Sequence, residues 1–140
     1  MTLKKSCRLS KELAERLTLG KPLPYSEDLD PLLKKFYLLQ ETRALAPKVI
    51  VEYDRIPYIY KDGNVRVTFD LDIRSSGKCE TFLDPKINAR PIMPEGKNIL
   101  EVKFDEFLPD HIYHAIQSEK LRQTTFSKYF LCRTYPDQLI

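Results

Sequence analysis

From Asn64 to Arg74 the chain alternates between polar and apolar side chains without a break. Val65, Val67, Phe69, Leu71 and Ile73 fall on one side of an extended chain, and Arg66, Thr68, Asp70, Asp72 and Arg74 on the other. A period of two fits a strand and no helix, because successive Cβ atoms of a strand point to opposite faces. One face of this strand belongs to an apolar core. The other carries closely interleaved charge of both signs. A solvated sheet surface accounts for that face, and so does a polar groove or tunnel that binds an anion.

Two further segments repeat the design. In Asn98 to Phe104, Leu100, Val102 and Phe104 share one face, and Ile99, Glu101 and Lys103 share the other. In Lys48 to Arg55, Val49, Val51, Tyr53 and Arg55 share a phase. Three strands with Arg, Glu and Lys on a common face would make one side of a sheet a charge array and the other a core.

The composition narrows what such a sheet can serve. A chain of 140 residues has room for one domain. The net charge is only +3, so an anion preference has to come from how cations are arranged rather than from bulk charge. No apolar run has the roughly 18 residues of a membrane helix, and the N-terminus lacks the apolar stretch of a signal peptide. Cys7, Cys79 and Cys132 are widely spaced and form no CxxC pair, which points to a reducing compartment and a cytoplasmic location. His111 and His114 lie three apart on a predicted helix, but no Cys or third His completes a metal site. A helix-borne basic patch with stacking aromatics is missing, which argues against nucleic acid.

The remaining elements follow from caps and breakers. Residues 3–9 read as a short strand with Lys4, Ser6 and Arg8 on one face. Ser10 is a helix cap before Lys11 to Leu19, which Gly20 closes. Asp30 and Pro31 open a helix that runs to about Ala44, before Pro47. Strands come next over 48–55, 58–61 and 64–72, the last two joined by Asp62 and Gly63 in a hairpin turn. Residues 75–97 are irregular. A strand over 98–104, a helix over 109–117 and a final strand over 124–129 complete an α+β fold with an antiparallel sheet of about five strands.

Taken in order, five segments resemble one family: Lys4 to Ser10, Pro47 to Arg55, Val65 to Asp70, Ile99 to Lys103, and Phe126 to Tyr129. They are similar to the VTC domain, the polyphosphate polymerase domain of the triphosphate tunnel metalloenzymes, a CYTH-like superfamily. The resemblance implies an antiparallel tunnel. It is to the C-terminal part of that domain, since the Glu-x-Lys and Arg-x-Arg strands of the family's first half do not precede Lys4. About half of a tunnel barrel with flanking helices is therefore expected, and no turnover from these residues alone. The resemblance implies that Arg55, Arg66, Lys103, Lys128 and Lys4 hold phosphate oxygens, and that Glu101 binds Mg²⁺ or Mn²⁺. No catalytic residue is assigned by it. The implied partners are polyphosphate, triphosphate or nucleotide. Other readings stay open: a non-catalytic module binding polyphosphate or another anion, and a structural piece needing a partner half. A half-tunnel leaves open sheet edges, so either a homodimer or cover by the 75–97 loop is expected.

Overall fold

The structure is a computed structural model, and it describes residues 4–118 and 121–134. Its backbone divides into two compact units, residues 1–50 with 76–88, and residues 51–75 with 89–140.

The first unit carries two helices, α1 (Lys11–Thr18) and α2 (Pro31–Arg43). Both begin where the sequence places a cap. The Ser10 hydroxyl accepts from the Leu13 amide at 3.2 Å, and an Asp30 carboxylate oxygen accepts from the Leu32 amide at 2.7 Å, with Pro31 at the first helical position. Ala44, left-handed at φ 49°, terminates α2. Leu23 is buried beside α2, and its amide donates to Gln40 Oε1 at 2.9 Å. Over the described part of the strand expected at residues 3–9 no strand forms: residues 4–10 have no regular structure. Seven residues with their polar face exposed supply little to offset the entropy of ordering them.

The second unit is built on a sheet. Strand β1 (Ile50–Tyr60) runs through a tight turn into β2 (Val65–Ser76), and the short β3 (Arg90–Pro91) and β4 (Ile99–Lys103) also pair with β2. The two segments expected at 48–55 and 58–61 are one strand, because Pro57 costs only a single N–H on an edge. Both pairings for which a register is defined are antiparallel. Arg66 lies opposite Lys103, Thr68 opposite Glu101 and Asp70 opposite Ile99, while Arg74 lies opposite Pro91. The sheet is open among the described residues: four strands, with no closed barrel.

Two helices belong to this unit, α3 (Asp110–Ile116) and α4 (Lys128–Thr134). The last strand expected over 124–129 does not form: residues 124–127 have no regular structure, and helix α4 begins at Lys128. The Ser127 hydroxyl accepts from the Phe130 amide at 3.2 Å and its carbonyl accepts from the Leu131 amide at 3.1 Å, so a cap starts a helix in spite of the β-prone Thr124, Thr125 and Phe126.

The long alternation of β2 holds up to Leu71 and then breaks. Asp72 is left-handed at φ 50°. A residue of that conformation inside a strand has the effect of a bulge and shifts the phase of the residues after it. Ser75 thus reaches the buried Cys132 thiol of α4, while Arg74 pairs with Asp72 and lies in the field of Glu52 and Asp54. In the middle of the strand burial is the reverse of a plain amphipathic one, although Val65 and Ile73 on the apolar side are buried. Asp70 is 0% and Thr68 2% exposed, whereas Phe69 on the apolar side is 39% exposed and makes an edge-on contact with Tyr58.

Candidate functional site

The polar face of β2 gathers charged side chains from three strands and one helix. Asp70 is the hub. Its Oδ1 accepts from Arg55 Nε at 2.6 Å, and its Oδ2 accepts from Arg55 Nη2 at 2.8 Å and from Lys128 Nζ at 2.6 Å. Arg55 comes from the middle of β1, and Lys128 is the first residue of α4. The Tyr53 ring, two residues before Arg55 and in its phase, lies 5.1 Å from both cationic heads.

Glu101 and Lys103 on β4 continue the face. Lys103 Nζ donates to Glu101 Oε1 at 2.8 Å, and Glu101 Oε2 lies 3.8 Å from Arg55 Nη2. Arg66 joins them by register, directly opposite Lys103, and makes no ion pair among the described residues. Directly opposed like charges repel, so the pair of Arg66 and Lys103 is an arrangement that an anion would relieve. Thr68 lies between Arg66 and Asp70, and its Oγ1 is buried without a hydrogen-bond partner.

The electrostatics follow from these contacts. Hydrogen bonds from Arg55, and then from Lys128, hold the Asp70 carboxyl below its ordinary range despite burial, which acts the other way. The Asp70 hydrogen bond in turn keeps Arg55 firmly protonated. Glu101 is lowered first by the hydrogen bond from Lys103. Across the face, Arg55, Arg66, Lys103 and Lys128 outnumber Asp70 and Glu101. Arg55 and Lys128 share one carboxylate, so each keeps donors unused.

Five of the expected residues thus come together: Arg55, Arg66, Glu101, Lys103 and Lys128. Lys4 belongs to the first unit, in irregular and exposed chain. The sequence put Asp70 on the correct face but gave it no role. The signal was its phase with Arg66 and Thr68. Tyr53 shares the phase of Arg55, and that spacing of two is the sequence signal for its place on this face. His111 and His114 contact Tyr60 and Tyr113.

The face offers limited support for a metal. No cluster of three or more His, Cys, Asp or Glu occurs among the described residues. Both Asp70 oxygens are engaged by cations and have no exposed surface. Glu101 remains, with a side chain 34% exposed. One carboxylate suits Mg²⁺ or Mn²⁺ when phosphate oxygens and waters complete the octahedron. The donor set is no dedicated metal cage; it would fit only a metal that arrives with a phosphate, for which Glu101, already paired with Lys103, would be the one carboxylate ligand.

An antiparallel sheet with cations in excess on one face, three of the four held by a buried or half-buried carboxylate, defines a class: an α+β scaffold that presents a basic sheet face. The VTC domain profile matches residues 2–135, nearly the whole chain, and the chain belongs to the VTC domain family. No curated protein and no solved structure matches it. Among the described residues no helix is long and apolar enough to cross a membrane.

Proposed function

We propose that the β1–β2–β4 face binds the phosphate chain of a triphosphate, nucleotide or polyphosphate together with Mg²⁺ or Mn²⁺, as the phosphate-binding wall of a VTC-type polyphosphate polymerase domain. The observation that carries this reading is Arg66 opposite Lys103 on the face where Arg55 and Lys128 converge on Asp70. Four cations against two carboxylates leave this face with positive charge in excess, and a run of phosphates with one negative charge per unit is the natural complement. Arg55 and Arg66 suit phosphate through the planar fork of the guanidinium, while Lys103 and Lys128 act as mobile point charges. Phosphoryl transfer depends mainly on positioning and on neutralising charge as it spreads over the phosphoryl oxygens. Residues of this face would hold the chain straight and take up that charge. A metal beside Glu101 would supply further neutralisation on the reacting phosphates.

Isothermal titration with tripolyphosphate, with and without Mg²⁺, tests the reading. Saturable binding is expected, with a rise in melting temperature by linkage. Arg66→Glu should weaken binding on the order of a hundredfold or more, because it removes a cation and adds a repelling charge. Lys11→Glu, on exposed α1, should leave the affinity within about twofold. No heat and no thermal shift at millimolar tripolyphosphate would refute the proposal.

A further inference from the structure

The same face contains a group whose charge is wrong for an anion site. Asp70 lies at its centre, is fully buried and is ionised. Resting on the phosphate reading above, we propose that Asp70 is the positioning residue of this face: it holds Arg55 and Lys128 side by side, with their remaining donors presented outward.

The contacts specify how. Asp70 engages the Nε–Nη2 edge of the Arg55 guanidinium, one oxygen to each nitrogen. That bidentate grip fixes the plane of the group and leaves its other edge, which carries Nη1, for a ligand. The Oδ2 that receives Nη2 also receives Lys128 Nζ, so one oxygen brings a β1 cation and an α4 cation together. The Tyr53 ring against both heads restricts them further. Arg55 and Lys128 keep side-chain exposures of 38% and 20%, so both stay reachable, whereas Asp70 itself does not. With both oxygens occupied and no exposed surface, Asp70 is placed neither to ligate a metal nor to take a proton from a substrate.

Charge counting and positioning predict opposite signs here, which makes the assignment decidable. If Asp70 only repels the ligand, removing its charge tightens anion binding. If it positions the cations, removing its charge lets Arg55 and Lys128 repel each other and swing apart, and binding weakens although the face has become more positive. The pre-organised arrangement removes side-chain ordering cost from the binding step.

The experiment measures tripolyphosphate affinity without metal for the unaltered chain, Asp70→Asn and Asp70→Glu. Binding by Asp70→Asn should be about tenfold weaker or more. Its salt dependence should be shallower, because fewer cations engage the polyanion, a change that loosening of the fold does not produce. Asp70→Glu keeps the charge and moves the carboxylate by one methylene, so it should fall between the other two. Should Asp70→Asn fail to fold, Asp70→Glu decides alone, since charge counting predicts unaltered affinity for it and positioning predicts weaker. Equal or tighter binding by Asp70→Asn, or full affinity in Asp70→Glu, overturns the assignment and leaves the phosphate reading standing. Absence of binding by the unaltered chain overturns both.

Discussion

Replacing Gly63 by Ala should be among the most damaging one-carbon changes available in this chain. Gly63 sits in the turn from β1 to β2 at φ 75°. An L-residue there costs about 1–2 kcal/mol in backbone strain alone. The second cost is steric. A Cβ at Gly63 would lie 2.3 Å from the Phe107 carbonyl oxygen, a backbone atom that cannot rotate away. The strand end is also tied down nearby, because the Asp105 amide donates to the Gly63 carbonyl at 3.1 Å and Asn64 Nδ2 to an Asp105 oxygen at 2.6 Å. Relieving the clash means stretching or losing one such bond, roughly another 1–2 kcal/mol. The total is about 3 kcal/mol, or roughly 10 °C in melting temperature for a chain of this size. Gly20 is the control. Its φ is 71° and a Cβ there meets open space, so Gly20→Ala should cost only the strain, about 1 kcal/mol. Urea unfolding of both variants, followed by circular dichroism, measures the difference. Because this turn fixes where Arg55 stands relative to Asp70, Gly63→Ala should also weaken tripolyphosphate binding, and Gly20→Ala should not. If the Gly63 variant loses no more stability than the Gly20 variant, the packing of the turn against Phe107 is wrong.

Acid should destabilise the fold through Asp70 and Glu101. Both carboxyls are held below their ordinary values in the folded state, so their stabilisation is complete above the unfolded value near pH 4 and is lost as pH falls through the folded one. Melting temperature against pH should therefore drop below about pH 4, and less steeply for Asp70→Asn than for the unaltered protein; parallel curves would contradict the Asp70 contacts. Thr68→Val should hold or raise stability by up to about 1 kcal/mol, since it replaces a buried hydroxyl that has no partner; a loss above about 1 kcal/mol in urea unfolding would reveal a bond at Oγ1. The Cys132 thiol is fully buried and burial pushes its pKa up, so iodoacetamide should label it far more slowly than the half-buried Cys7, as read by mass spectrometry. Equal rates would place Cys132 at the surface.

Much of the architecture was legible because it rests on local chemistry. Caps and breakers placed α1 and α2 within a residue or two, since Ser10, Asp30 and Pro31 act on amides within their own first turn. Alternation placed β2 and β4, and with them the shared face of Arg66, Glu101 and Lys103. The misreadings have local causes as well. Residues 124–129 carry β-prone side chains, but the Ser127 cap begins a helix, and Lys128 reaches the site from that helix. The phase beyond Leu71 could not be read, because nothing in a regular alternation announces that Asp72 turns left-handed.

What the sequence determined by itself was which side chains share a face, since the period of a strand is a property of the backbone and needs no partner. The five motifs in order carried the family, and the domain profile agrees. Tertiary structure alone decided what those side chains do to one another. Whether a row of Arg, Asp, Glu and Lys is a solvated surface or a built site depends on burial and on contacts between strands and helices distant in sequence. Only when α4 brings Lys128 onto the face, and β1 brings Arg55, does Asp70 become a buried carboxylate shared by two cations. Spacing along one strand holds no trace of that sharing, because Coulomb energy and desolvation depend on distance in space.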